Sequence, residues 1–197
     1  MHTKYLPIRD NFKLKIYILL LLLLSSLYAE SKVYVGTSLA YINESFNDID
    51  ANNASPLAKV KLAYGDRTKY AVELSLEYTK NDSKIFSSSN TIDSDGDKMG
   101  FNIEFLKAFN NDMFFLPFFK VGFGSGSLDI TRVLQDSLNY GSFNLGAGVF
   151  LPINEHFDFE LGYEFKYLSY EAVDTIAQKN IHKSNINAAY FGFNVRF

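Results

Sequence analysis

The chain has no cysteine and no tryptophan in 197 residues, only four prolines, and 19 Lys plus Arg against 22 Asp plus Glu. Each scarcity excludes something. Without cysteine there is no disulfide framework, no thiolate metal site, no cysteine nucleophile and no lipid-modified N-terminal cysteine. Without a basic excess there is no electrostatic footprint for nucleic acid, so no nucleic-acid partner is expected. Beyond residue 30 no apolar run approaches the roughly 20 residues of a membrane-spanning helix, and no helical periodicity of useful length appears. No cofactor motif appears either, since Gly122-Phe123-Gly124-Ser125-Gly126 is not followed by the Lys-Ser/Thr of a phosphate loop. What the chain has in quantity is 19 Phe and 13 Tyr, in a composition 47% hydrophobic and 21% charged. That is too apolar for disorder, and the length suits one domain.

The first 29 residues differ from the rest. Lys4, Arg9, Lys13 and Lys15 precede the unbroken apolar run 16–24, and Ser25-Ser26-Leu27-Tyr28-Ala29 follows. A basic start, an apolar stretch of about 7 to 15 residues and a small-residue end make a secretory signal peptide. The expected organisation is a cleavable signal peptide, residues 1–29, cut between Ala29 and Glu30, and one domain over residues 30–197. Cleavage removes four bases and Asp10, leaving 168 residues with 15 positive and 21 negative charges, a net of −6.

The exported part alternates with period two, which is the mark of a strand with two different faces. Val33, Val35, Leu39 and Tyr41 lie opposite Gly36, Ser38 and Ala40; Ala58, Val60, Leu62 and Tyr64 lie opposite Lys59 and Lys61. The third segment sets Tyr70, Val72, Leu74, Leu76 and Tyr78 against Glu73, Ser75 and Glu77, and the fourth sets Met99, Phe101, Ile103 and Phe105 against Asn102 and Glu104. The fifth carries Phe115, Pro117, Phe119, Val121 and Phe123 against Lys120, Gly122 and Gly124; the sixth carries Phe143, Leu145, Ala147, Val149 and Leu151 against Asn144, Gly146 and Gly148. The seventh alternates Phe157, Phe159, Leu161, Tyr163, Phe165 and Tyr167 with Asp158, Glu160, Gly162, Glu164 and Lys166. The eighth alternates Ala189, Phe191, Phe193, Val195 and Phe197 with Tyr190, Gly192, Asn194 and Arg196.

Connections alternate as well: long at about 43–56, 80–97, 125–140 and 171–183, short at 65–68, 110–112 and 154–156. Eight strands with long loops at one end and tight turns at the other predict an up-and-down antiparallel barrel, whose closure leaves no unpaired edge.

Alternation does not say which face is outside. Eight strands leave an interior just wide enough for side chains, and a large apolar residue on every strand would overfill it. The charged parity nearly balances, with Glu73, Glu77, Glu104, Asp158, Glu160 and Glu164 against Lys59, Lys61, Lys120, Lys166 and Arg196. Buried charges persist only when paired, so near-neutrality fits an enclosed polar core, with the inward glycines making room. Tyr70 and Tyr78 bracket Val72, Leu74 and Leu76 at a spacing of roughly 20 Å along the bilayer normal, as an aromatic girdle requires. The reading is therefore an all-β, eight-stranded transmembrane barrel with its apolar parity toward lipid and an interior ion-pair network of Lys59, Lys61, Glu73, Glu77, Glu104, Lys120, Glu160, Glu164, Lys166 and Arg196.

Three stretches carry a family resemblance: the signal peptide; Phe143-Asn144-Leu145-Gly146-Ala147-Gly148-Val149 through Ile153-Asn154-Glu155-His156-Phe157 to Leu161-Gly162-Tyr163; and Ala189 to Phe197. With them the chain resembles the small eight-stranded outer-membrane barrels of Gram-negative bacteria, the OmpA/OmpX-like family. The resemblance implies insertion in the outer membrane among its lipids and lipopolysaccharide, termini in the periplasm, and four long loops at the cell surface open to host or environmental ligands. It also implies that Phe191, Phe193, Val195 and Phe197 form the C-terminal signal read by the barrel-assembly machinery. The chain stops at Phe197, so the peptidoglycan-binding domain of larger relatives is not expected.

Two chemical motifs compete with a purely structural role. His182-Lys183-Ser184-Asn185 is similar to the His-x-Ser-Asn run of outer-membrane lipid A deacylases, but no acid follows it and its parity points inward, away from acyl chains. Asp93-Ser94-Asp95-Gly96-Asp97 has the acidic spacing of a calcium loop, yet Lys98 stands where glycine is required and Glu104 belongs inside the barrel. The resulting expectation is a non-enzymatic barrel without a cofactor, contributing to envelope integrity or surface interaction. The alternatives are a narrow pore for ions or small solutes and a lipid A-modifying hydrolase.

Overall fold

The computed structural model describes residues 32–81, 83–88, 93–110, 113–132, 135–174 and 179–197. The expected signal peptide and its Ala29–Glu30 bond lie outside the described residues. Eight strands form a closed barrel in chain order, each antiparallel to the next, with β8 returning to β1. They are β1 Lys32–Phe46, β2 Asn52–Asp66, β3 Tyr70–Lys80, β4 Asp97–Ala108, β5 Leu116–Asp129, β6 Ser137–Pro152, β7 Phe157–Asp174 and β8 Lys179–Arg196. The expected fold class and face assignment hold. Leu39, Val60, Leu76, Phe101, Phe123, Leu161 and Phe191 are exposed, whereas Lys61, Glu73, Glu104, Lys120 and Glu160 are buried.

Most long-loop boundaries move. β1 and β2 pair as far as Ser45 with Asn52, which leaves 47–51 as the loop instead of 43–56. β8 begins at Lys179, ten residues before the alternation becomes apolar, and pairs with β7 across a register shift between Ser169 and Ala172. The physical reason is common to these ends. Once a strand leaves the bilayer its outward residues turn polar, so the two faces no longer contrast although the ladder continues. A bilayer crossing takes about 9 to 11 tilted residues, and β7 and β8 have 18 each.

The short turns are set by local chemistry. Gly65 sits at φ 133°, where a Cβ would lie 2.7 Å from the Tyr70 carbonyl oxygen; only glycine enters that region without strain. Asn154 Oδ1 accepts the backbone N–H groups of His156 and Phe157, closing the β6–β7 turn as an Asx turn.

The outward face gives a direct prediction. Leu74 lies midway between Tyr70 and Tyr78 on β3 and is 38% exposed. Leu74→Arg is expected to cost about 2–4 kcal/mol of folding stability in lipid, measured by reversible denaturant unfolding in vesicles. An unchanged midpoint would place this face in water.

Candidate functional site

The barrel axis is the candidate site, and three layers build it. At the short-turn end Arg67, carried by the β2–β3 turn, grips Asp158 with both terminal nitrogens at 3.2 and 2.8 Å. Its guanidinium lies 3.9 Å from the Phe150 ring centroid and 5.2 Å from that of Tyr34. Asn194 Nδ2 donates to Asp158 Oδ1 at 2.7 Å, and Arg196 Nε lies 3.0 Å from Asp158 Oδ2. Phe118 and Phe150 pack at 4.4 Å between centroids, with Leu106, Ala108 and Tyr190 completing an apolar seal.

The middle layer consists of two quartets, each of two lysines and two glutamates. Lys120 bridges Glu73 at 2.8 Å and Glu160 at 2.9 Å, while Lys61 contacts the same two carboxylates. Nearer the long loops, Lys59 bridges Glu77 and Glu164, both at 2.8 Å, and Lys166 contacts the same pair. Every ammonium therefore meets two carboxylates and every carboxylate meets two ammoniums. All eight side chains are 8% exposed or less, so the charges are neutralised by one another instead of by water. Tyr190 O–H donates to Glu160 at 2.8 Å and Tyr34 O–H to Glu73 at 3.4 Å. Glycines admit these side chains: a Cβ on Gly36 would lie 2.7 Å from Lys61 Cε, and one on Gly162 would lie 2.4 Å from the Tyr190 ring. Voids of about 10 Å³ remain beside Lys59 and beside Lys98, each room for one water molecule.

The third layer closes the long-loop end. Lys98 Nζ donates to Glu44 at 2.5 Å and to the Tyr170 hydroxyl at 2.7 Å; Tyr170 and Ser184 hydroxyls each donate to Glu44 Oε1 at 2.6 Å. Above them the β3–β4 loop folds inward. Asp95 accepts the backbone N–H groups of Ile85, Phe86 and Ser87 at 2.8–2.9 Å, and Arg132 Nε donates to the Phe86 carbonyl at 2.6 Å. Phe86 is thereby held 2% exposed, with ring centroids 5.4 Å from Phe46 and 5.3 Å from Tyr170, over Ile42, Leu128, Leu138 and Ile186.

Three readings of the sequence need correction. Glu104 lies inside the barrel, opposite Glu73 on the β3–β4 ladder, but it belongs to no ion pair: neither carboxyl oxygen has a partner among the described residues. Each quartet lysine is already held by two other carboxylates, so none is left for it. The interior is not polar throughout, because apolar plugs cap both ends of the charged middle. Following the inward parity outward would have found them, since Phe150 continues Asn144, Gly146 and Gly148, and Leu138 precedes them. The β3–β4 loop, expected as one of four long surface loops, folds back and is anchored over the barrel mouth by Asp95 and Phe86.

The same parity rule recovers Glu44, Lys98 and Tyr170, which fell within or beside segments read as loops. Arg67 gives no such signal, because it reaches the axis from a turn.

The chemical motifs also find their places. Asp95 spends its oxygens on backbone N–H groups, Glu104 lies within the barrel, and among the described residues no cluster of three or more metal-ligating side chains occurs. His182 Nδ1 meets Asp48 Oδ2 at 2.6 Å, so an acid does orient the imidazole, from β1's side of the sequence. Ser184 is fully buried and directs its hydroxyl to Glu44. The serine is thus engaged by a different carboxylate from the one that holds the histidine.

A closed antiparallel barrel with an apolar outer belt and a neutralised, filled axis defines an integral β-barrel membrane protein. The family model for the outer membrane protein beta-barrel domain matches residues 17–197, and the chain belongs to that family. It resides in the outer membrane of a Gram-negative bacterium, in contact with the lipids of that membrane. Among solved structures it is similar to Neisserial surface protein A, with 15% identity and a TM-score of 0.58 over 86% of this chain and all of that one. It is also similar to Ail, the attachment invasion locus protein of Yersinia pestis, with 16% identity and a TM-score of 0.51 over 86% of this chain and all of that one. These likenesses show a shared fold. No curated protein matches the chain by sequence.

Proposed function

We propose that this barrel is a sealed, non-enzymatic envelope protein, which reinforces the outer membrane and presents its long-loop end at the cell surface. The observation that carries the reading is the pair of lysine–glutamate quartets lying between two apolar plugs. A solute on the axis would have to break charge pairs in low dielectric, where removing one partner costs several kcal/mol. Residues 1–29 act as the signal peptide in this reading. The outward row Phe191, Phe193 and Val195, with the 72% exposed Phe197, serves the assembly machinery. That row is already organised: Phe159 packs on Phe191 and Phe193, and Phe197 N–H donates to the Val33 carbonyl at 2.8 Å.

Conductance tests the reading. Purified barrel in planar bilayers is expected to show no steady unit current, and steady single-channel steps would favour a narrow pore instead. The buried Ser184 gives the hydrolase alternative its own check: lipid A incubated with folded protein is expected to keep all its acyl chains.

A further inference from the structure

Among the described residues on the axis, Glu104 is the acid that the ion-pair network leaves out. It is 0% exposed, and neither carboxyl oxygen meets a donor. Its level in the wall offers none. On the ladders it lies between Glu73 of β3 and Gly122 of β5, a like charge on one side and no side chain on the other. Packing there is tight, since a Cβ on Gly122 would lie 2.7 Å from Glu104 Cγ. The two small voids beside Lys59 and Lys98 are lined by other residues, so neither sets a water against this carboxyl.

The charges that face Glu104 come from four strands. Lys59 of β2, Glu73 of β3, Lys120 of β5 and Glu164 of β7 surround it with two positive and two negative charges. Both lysines are already held by quartet carboxylates at 2.8–2.9 Å. The surroundings therefore supply no spare cation. An ionised Glu104 would be an unpaired charge beyond the reach of water, and a group so placed takes up a proton instead. The neighbouring Glu73 acts in the same direction, because two carboxylates sharing a low-dielectric site do not both ionise.

We propose that Glu104 is a proton-binding site: in the folded barrel at neutral pH it is a neutral carboxylic acid, and folding moves one proton from water to one of its oxygens. With that proton in place the quartets, four lysines and four glutamates, and the acid beside them carry no net charge. The sign of the pH dependence follows. In the unfolded chain a glutamate is ionised above about pH 4.3. Folding must therefore gather a proton that becomes scarcer as pH rises, and the barrel loses stability toward alkaline pH until Glu104 ionises in place.

Two measurements test the site. In deuterated buffer at neutral pH, the infrared spectrum of the folded barrel in micelles is expected to show the carbonyl stretch of a protonated carboxyl, and Glu104→Gln is expected to lack it. Urea unfolding of both proteins then gives their folding constants. The ratio of wild type to Glu104→Gln is expected to fall about tenfold per pH unit between about pH 6 and pH 8. Every other titrating group is common to the two chains and cancels in that ratio. A wild-type spectrum without the band, a band that persists in Glu104→Gln, or a ratio that does not change with pH would each overturn the proposal. The wild-type spectrum decides even where the variant fails to fold. The proposal rests on the sealed-core reading, which planar-bilayer conductance tests by itself, because current reports passage and not protonation.

Discussion

Lys120→Met is expected to destabilise the folded barrel by about 3–5 kcal/mol, because it leaves buried carboxylates facing too few cations. Lys120 lies 2.8 Å from Glu73 and 2.9 Å from Glu160, and all three are at most 1% exposed. With it gone, Lys61 alone must neutralise two glutamates that water cannot reach. The loss comes from the stranded charge, more than from the worth of the pair. Removing one charge of each sign should therefore recover most of it: Lys120→Met with Glu73→Gln leaves the Lys61–Glu160 pair intact. Glu104→Gln supplies the contrast. It is as deeply buried but has no ion-pair partner, so removing its ionisable group is expected to leave stability unchanged or raised. Urea midpoints in detergent micelles, followed by heat-modifiable gel mobility, read all three variants. Equal losses in Lys120→Met and Glu104→Gln would show that pairing contributes nothing to the core.

The second large effect is expected at the long-loop plug. Phe86→Ala removes a buried ring from a cluster with Phe46 and Tyr170, and such truncations cost about 3–5 kcal/mol. Asp95→Ala reaches the same plug through the backbone, because three N–H groups lose a charged acceptor, at about 1.5–3 kcal/mol each. The consequence is local. The loop can leave the mouth while all eight strand pairings remain, so each variant opens the plug without unfolding the barrel. About 3 kcal/mol corresponds to roughly a hundredfold larger open population, seen as faster proteolysis within residues 83–96 at unchanged gel mobility. Unchanged cleavage would mean that Phe86 does not hold the loop. Loss of the folded band would mean that the plug is part of the barrel's own stability.

Legibility in the sequence followed the contrast between faces. Where the bilayer imposes apolar residues outside and the core demands small or charged ones inside, parity assigned Val72, Leu145, Phe159 and Phe193 to lipid and Lys59, Glu73, Lys120 and Glu164 to the axis. Where strands continue into water, as at Asn43–Phe46 and Lys179–Lys183, the contrast between the faces fades and the sequence pattern reads as loop. Glu44 and Lys98 were lost with them, although each lies on the inward parity of its strand.

Strand number, pairing order, the outward belt and the near-neutral interior follow from the sequence alone, because a period of two and the size of an eight-stranded bore leave one arrangement. The partners inside that bore do not. Which lysine meets which glutamate depends on residues as far apart as Lys59 and Glu164, brought level by the register of intervening strands. Glu104 being left single, Arg67 swinging in from a turn, and Phe86 folding back over the mouth depend likewise on distances that only the closed barrel sets.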